Sequence, residues 1–344
     1  MKSVQFAQYG EPDVLQIQEV ADPIAEPDDV LIEVKATTVN RLDLFQRAGS
    51  RPVNKLPFTP GLEAAGVVLQ DGNGFWAGEH VLTTRALQAK GGGGYAGKLA
   101  VPATDLARIP AGVTLEQAAA AGLAASTAWG SLFDLGNLQA GERVLIWAGS
   151  SGVGSIGIQL AKHAGAWVAT TVSSDEHCSI LRRIEEKKPM LFPTPPDLNN
   201  PNRTMLNVSS GSALGADLII NRRTQDVGKV LQEIGGVNLV IELVGSTLQT
   251  SLQASAPDGR IILVGNLGGQ QATVDTQIWR LQRTQVIGGG QVHTSVANEE
   301  KMLRLIAEKV VTPLIARTLP VEQAAEAHRQ LASGELQGKI VLTH

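Results

Sequence analysis

The stretch Gly149-Ser150-Ser151-Gly152-Val153-Gly154-Ser155-Ile156-Gly157 sets glycines in the pattern Gly152-x-Gly154-x-x-Gly157. Where a buried strand turns into a helix, each glycine has its own task. The first makes the tight turn, the second lets the backbone approach a pyrophosphate, and the third lets helix and strand lie close. The mouth of the helix adds free N–H groups and a partial positive charge, so the group bound there is an anion. Ser151, Gly152, Val153 and Gly154 are therefore candidate cofactor-binding residues, and the ligand they suit is a dinucleotide held by its pyrophosphate. A ligand-free glycine turn is the plain alternative, but few such turns need glycine at all three places.

The kind of dinucleotide is read further along. Versions that bind NAD place Asp or Glu at the end of the second strand, about 20 residues on, to hold the ribose 2′-hydroxyl. Here that strand ends Thr171-Val172-Ser173-Ser174. A serine can donate to a 2′-phosphate, which a carboxylate would repel. His177, Arg182, Arg222 and Arg223 offer positive charge nearby, while Asp175 counts against, two residues past the decisive place. NADPH is the expected cofactor, with Ser173, Ser174, His177 and Arg222 at its adenosine end. The arginines are equally ordinary as solvated surface charge.

The elements around this motif follow from periodicity. Val144-Leu145-Ile146-Trp147-Ala148 reads as a fully buried parallel strand, and residues 156–163 as the helix after the glycines. Further strands are expected at 167–172, 216–220, 239–244 and 260–265, with helical stretches between them. That alternation predicts an α/β fold, a Rossmann doubly wound parallel sheet. The first 120 residues differ. Short β-branched runs at 30–35 and 65–69 lie between turn signals such as Glu26-Pro27-Asp28-Asp29 and Asp71-Gly72-Asn73-Gly74. Residues 114–125 are Ala-rich and helical, with Thr114 and Gln117 spaced as a capping box. Residues 184–213, with five prolines, break the rhythm; without them 181–183 would run into the next strand, so the segment reads as a surface insertion.

Composition bounds the rest. The 344 residues fit two domains at about 150 residues each. With 43% apolar and 18% charged residues the chain suits a soluble globular protein. A net charge of −4 without a Lys/Arg run gives no sign of nucleic-acid binding. No apolar run approaches the roughly 20 residues of a membrane span. Met1 to Phe6 alternates like a strand and lacks a signal-peptide pattern, so a cytoplasmic location is expected. The single cysteine, Cys178, cannot form an intrachain disulfide or a multi-Cys zinc site.

Several motifs together resemble the medium-chain dehydrogenase/reductase superfamily, nearest its zinc-free, ζ-crystallin-like quinone oxidoreductase branch. They are Val39-Asn40-Arg41-Leu42-Asp43, Pro60-Gly61-Leu62-Glu63-Ala64-Ala65-Gly66-Val67-Val68, Ser126-Thr127-Ala128-Trp129, residues 149–157, Leu214-Gly215-Ala216-Asp217 and Gly338-Lys339-Ile340-Val341-Leu342. The resemblance implies a GroES-like β-rich catalytic domain at 1–124, rejoined by 268–344, and a Rossmann domain at 125–267 holding the insertion. It places the active site in the cleft and implies a homodimer.

The resemblance also bears on metal. Zinc-dependent relatives have Cys where Asn40 stands, His where Leu62 stands and a further Cys near Leu123, besides a four-Cys lobe that is absent. A leucine cannot bind zinc, whose tetrahedral sites need N, S or O donors. Without metal, the protein positions hydride donor and acceptor and leaves the acceptor's delocalisation to do the rest, which suits quinones or enones. By resemblance, Asn40, Asp43 and Thr127 lie beside the nicotinamide as catalytic candidates, although Asn, Asp and Thr are also natural caps and turn residues. Gly245, Val264, Gly265, Asn266 and Lys339 complete the candidate cofactor contacts. Related quinone reductases often have Tyr where Phe45 stands; here only Tyr9 and Tyr95 exist, so no proton donor is identified. NADPH:quinone reduction leads. Reduction of α,β-unsaturated carbonyls, and NADPH binding with little catalysis, stay open.

Overall fold

The computed structural model describes residues 1–84, 87, 93–175, 214–266, 268–290 and 294–344. The 184–213 insertion and His177 lie outside the described residues. The chain divides into two units: residues 1–130, 151–156 and 291–344 form the first, and residues 131–150 and 157–290 the second.

The first unit is built on strands. β1 (Lys2–Gln5) pairs with β2 (Gln16–Glu19). β3 (Asp29–Thr38), β4 (Ala64–Val68), β5 (His80–Thr83), β6 (Lys98–Pro102) and β7 (Leu106–Arg108) pair antiparallel, β3 being ten residues long where the β-branched run suggested six. Alternation along β3 buries Val30, Ile32 and Val34 in one core cluster. Helix α1 (Arg41–Ala48) follows β3, and helix α2 (Leu115–Trp129) follows the sheet. The Thr114 hydroxyl accepts from Gln117 N (3.2 Å) while the Gln117 side chain accepts from Thr114 N (3.0 Å), the capping box expected from sequence. Nothing stops α2 at residue 125. It runs to Trp129 and passes into a π-helical turn, Gly130–Leu135, so the first unit ends at Gly130 rather than 124.

The second unit is a six-stranded parallel sheet. Its strands are β8 (Arg143–Ile146), β9 (Trp167–Val172), β10 (Leu218–Asn221), β11 (Val237–Glu242), β12 (Ser255–Leu263) and β13 (Gln285–Gly288), in the order β10-β9-β8-β11-β12-β13. Helix α3 (Gly152–His163) joins β8 to β9; α4 (Val227–Gln232), α5 (Leu248–Ala254) and α6 (Thr276–Gln282) lie in the later connections. The centres of β8, β9 and β11 and the Ile261-Ile262 part of β12 are almost wholly buried, as near-continuous apolar runs in a parallel sheet must be. The motif Leu214-Gly215-Ala216-Asp217 locks β10 in register: Asp217 accepts from Lys162 Nζ (2.8 Å) and Val168 N (2.7 Å).

Two further boundaries differ more widely from the sequence expectation. β12 starts at Ser255, not 260, because the chain already pairs there and bulges over Pro257-Asp258-Gly259, with a register shift opposite Val237–Leu239. The sheet also takes β13 as a sixth strand, so the return to the first unit comes after Gly290 rather than at 268. Only then come α7 (Val296–Ala307), β14 (Ile315–Pro320), α8 (Ala324–Ser333) and β15 (Lys339–Thr343). β15 pairs antiparallel with β3 and parallel with β14, which closes the seven-stranded sheet of the first unit.

Candidate functional site

In the first unit, residues from three separate sequence regions meet around one carboxylate. Glu63, on the turn before β4, is only 2% exposed. Its Oε1 accepts from Thr38 Oγ1 at the end of β3, from Asn40 Nδ2 (3.0 Å) and from Lys339 Nζ (3.2 Å). Its Oε2 accepts from Leu123 N on α2 (3.2 Å). Lys339, the first residue of β15, also donates to Asn40 Oδ1 (2.6 Å). A buried ammonium and carboxylate thus neutralise each other, with the remaining lone pairs hydrogen-bonded, as burial of a charge requires. β15 delivers Lys339 here because it pairs with β3, whose end carries Thr38 and then Asn40.

Asn40 and Asp43 open α1. The Asp43 carboxylate is fully buried and accepts from Asn40 N (2.8 Å) and Gly61 N (3.0 Å), tying the helix start to the Pro60-Gly61 turn. Burial pushes the Asp43 carboxyl up to about 7 against those two N–H groups; the Glu63 charge adds to the rise and Lys339 opposes it. Thr127 sits half-buried on α2, one turn beyond Leu123. Its neighbour Ser126 is buried and accepts from Thr294 N (3.2 Å). Glu299, on α7, is bonded to Ser126, and burial raises its carboxyl to about 8. Tyr95 lies in the apolar core, with its hydroxyl 3.0 Å from His328 Nε2.

At the glycine motif, Ser151 Oγ accepts from Gly154 N (3.0 Å), so the serine caps α3. Gly152 and Val153 N–H groups find no acceptor among the described residues. A side chain at 152 would set its first carbon 2.7 Å from Lys339 Cδ; glycine is what lets the lysine stem cross the mouth of α3.

The other predicted contacts gather at one end of the parallel sheet. Ser173 and Ser174 follow β9, and Arg222, exposed, follows β10; Arg222 N donates to Val172 O (3.1 Å), which keeps those two strand ends side by side. The Asp175 carboxylate accepts from Asn221 Nδ2 (2.8 Å). Gly245 follows β11, and Val264, Gly265 and Asn266 follow β12. Val264 N and Gly265 N both donate to Glu242 O (2.9 and 3.1 Å). Gly245 has φ +86°, and a side chain there would lie 2.8 Å from Gly269 O, so the two loops close up only around glycine. The order of strands reverses between β8 and β11, and the crevice beyond strand carboxyl ends at such a reversal is where open α/β sheets hold ligands.

Two buried carboxylates carry no role in the sequence analysis. Glu63 stands there only as part of the Pro60–Val68 motif. Glu242 ends β11, wholly buried, and accepts from Val244 N (2.8 Å), Gly245 N (3.0 Å), Thr247 Oγ1 (2.8 Å) and Ser251 Oγ (2.5 Å), bracing the Gly245 turn. The available signal was a lone acid next to an apolar run, which is costly unless its oxygens are all used. Among the described residues, no three His, Cys, Asp or Glu gather as a metal site, and no helix is long and apolar enough to cross a membrane.

Comparison with known proteins agrees with this architecture. A family model described as alcohol dehydrogenase GroES-like domain matches residues 26–111, and one described as zinc-binding dehydrogenase matches residues 214–342. The quinone oxidoreductase of Lama guanicoe is 28% identical over 99% of this chain and 97% of its own length. Crystal structures of an NAD-dependent alcohol dehydrogenase (TM-score 0.85, 26% identity) and of Escherichia coli quinone oxidoreductase complexed with NADPH (TM-score 0.80, 26% identity) each superpose over 100% of both chains. With GroES-like strands and a parallel dinucleotide-type sheet matched over the full length of quinone oxidoreductases, the chain belongs to the medium-chain dehydrogenase/reductase superfamily, in its quinone oxidoreductase branch.

Proposed function

We propose that the protein is a zinc-independent oxidoreductase that uses NADPH to reduce a small quinone. The observation that carries this reading is the cluster at Glu63: the places where zinc-dependent relatives have ligands are Asn40, Leu62 and a position near Leu123, and Asn40 is bonded to a lysine ammonium. Leucine offers zinc no donor, and an ammonium beside the site repels a dication. The description "zinc-binding" attaches to residues 214–342, beyond all three places.

The residues present fit a dinucleotide phosphate. Gly152 and Val153 offer unused N–H groups at the mouth of α3, with the Lys339 stem crossing at Gly152. Ser151 and Gly154 shape that mouth. At the adenosine end, Ser173, Ser174 and Arg222 suit a 2′-phosphate, and the nearby acid, Asp175, is occupied by Asn221. Gly245, Val264, Gly265 and Asn266, on the loops that follow β11 and β12, are the further proposed cofactor contacts. When bound, the reduced nicotinamide supplies hydride to the acceptor. Thr127 orients the reacting groups, and Asn40 acts through the Lys339 ammonium it holds. Asp43, with both oxygens on backbone N–H groups, holds Asn40 in place. A quinone fits such a site because hydride addition leaves a delocalised anion that a hydrogen-bond donor can stabilise.

The test is a comparative titration of NADPH and NADH by calorimetry, then single-turnover mixing with quinones and enones. NADPH is expected to bind at least about tenfold tighter, roughly 1.4 kcal/mol. NADH binding as tightly as NADPH sinks the cofactor assignment, and faster turnover of enones than of any quinone sinks the substrate assignment.

A further inference from the structure

The Glu63 cluster has a donor left over, and its identity follows from counting hydrogens. Asn40 Nδ2 has two, directed to Glu63 Oε1 (3.0 Å) and Thr38 Oγ1 (3.4 Å). The Thr38 hydroxyl has one, given to Glu63. Asn40 Oδ1 accepts from Lys339. Asn40 therefore has no side-chain hydrogen left for a ligand. The Lys339 ammonium has three: one goes to Asn40 Oδ1 (2.6 Å), one to Glu63 Oε1 (3.2 Å), and the third meets no acceptor among the described residues. The lysine is 8% exposed, its stem crosses the mouth of α3 at Gly152, and Asn40 and Glu63 fix its head from two sides.

We infer that Lys339 is a catalytic residue: its unused N–H faces the oxygen on which charge develops, and it protonates that oxygen. This rests on the proposed function. The acceptor gains a hydride, forming one C–H or O–H bond and leaving an oxyanion. The Lys339 Nζ–H bond then breaks and an O–H bond forms, giving the hydroquinone or enol. The amine left behind regains a proton from solvent, while Glu63 and Asn40 hold it in position. An ammonium held by a carboxylate and an amide is pre-organised, so stabilising the anion requires little movement at the moment of reaction. The arrangement supplies a proton donor where the buried Tyr95 does not, its hydroxyl being bonded to His328.

The test compares wild type, Lys339→Met and the double variant Lys339→Met/Glu63→Gln, which removes both charges and so leaves no buried carboxylate unpaired. Quinone reduction by NADPH is measured under saturating conditions, and 4-nitrophenol is titrated into the cofactor-free protein. Wild type is expected to hold the phenol as phenolate at a pH where it is neutral in solution, seen as the phenolate absorption band. Both variants are expected to lack that band and to lose about a hundredfold or more in kcat, the usual scale of a general acid. A band or a kcat near the wild-type value in the double variant overturns the inference, as does a wild type that leaves the phenol neutral. If wild type reduces no quinone with NADPH, it is the proposed function that fails.

Discussion

Burial holds the Glu299 carboxyl at about 8, helped by the Glu63 charge and opposed by the hydrogen bond with Ser126. The ordinary value is 4.5. The folded protein therefore keeps a proton that the unfolded chain releases, and stability declines as pH rises from about 4.5 to about 8. Glu299→Gln, neutral at every pH, removes that decline. Urea unfolding is expected to find variant and wild type close near pH 4, with the variant ahead by a few kcal/mol near pH 8. Parallel pH profiles for the two proteins would show that Glu299 does not hold the proton. Asp43, raised to about 7 by the same physics, adds a decline between about 4 and 7 that survives in the variant.

Elements, rather than single residues, bring the site together, and their joints are testable. Helix α8 is held to the core of the first unit by the His328–Tyr95 pair. Burial first, and then the nearby Arg47 charge, lowers the imidazole to about 3. The unfolded histidine takes a proton below about 6.5 and the folded one does not, so stability falls as pH drops from about 6.5 toward 3. Tyr95→Phe leaves Nε2 buried without a partner and is expected to cost about 1–3 kcal/mol in urea unfolding at neutral pH. At the other joint, Gly152→Ala puts a methyl against Lys339 Cδ at the mouth of α3. NADPH affinity is expected to weaken by about tenfold, roughly 1.4 kcal/mol, in calorimetry. Unchanged affinity would show that the crossing of lysine and helix is irrelevant to the dinucleotide.

The whole molecule is two units threaded by one chain that leaves the first at Gly130 and returns after Gly290, with the α3 mouth grouped with the first. A ligand that binds only the folded protein stabilises it by mass action, about 2.7 kcal/mol at a hundred times its Kd. NADPH at that excess is expected to raise Tm by about 2 °C or more. NADH at the same concentration is expected to raise it less. Equal shifts in thermal unfolding would contradict the reading of Ser173, Ser174 and Arg222 as a 2′-phosphate site.

The sequence by itself determined the dinucleotide-type turn, the parallel strand 167–172, the existence of the strand expected at 239–244 (observed at Val237–Glu242), the Thr114 cap and the absence of zinc-type ligands at 40, 62 and near 123. Each of these depends on local spacing: backbone room at fixed glycines, apolar runs of strand length, a cap three residues from its partner. Tertiary structure alone decided that Lys339 would meet Asn40 and Glu63, 299 and 276 residues away, because only the pairing of β15 with β3 joins those regions. It also decided that the Gly290 crossover, not residue 268, returns the chain to the first unit, since a sixth strand is specified by an open sheet edge rather than by its own four residues. Why Glu63 and Glu242 are tolerated beside apolar runs was likewise illegible in the sequence. A buried carboxylate is stabilised by the donors that folding gathers around it, and their distances in sequence carry no trace of that gathering.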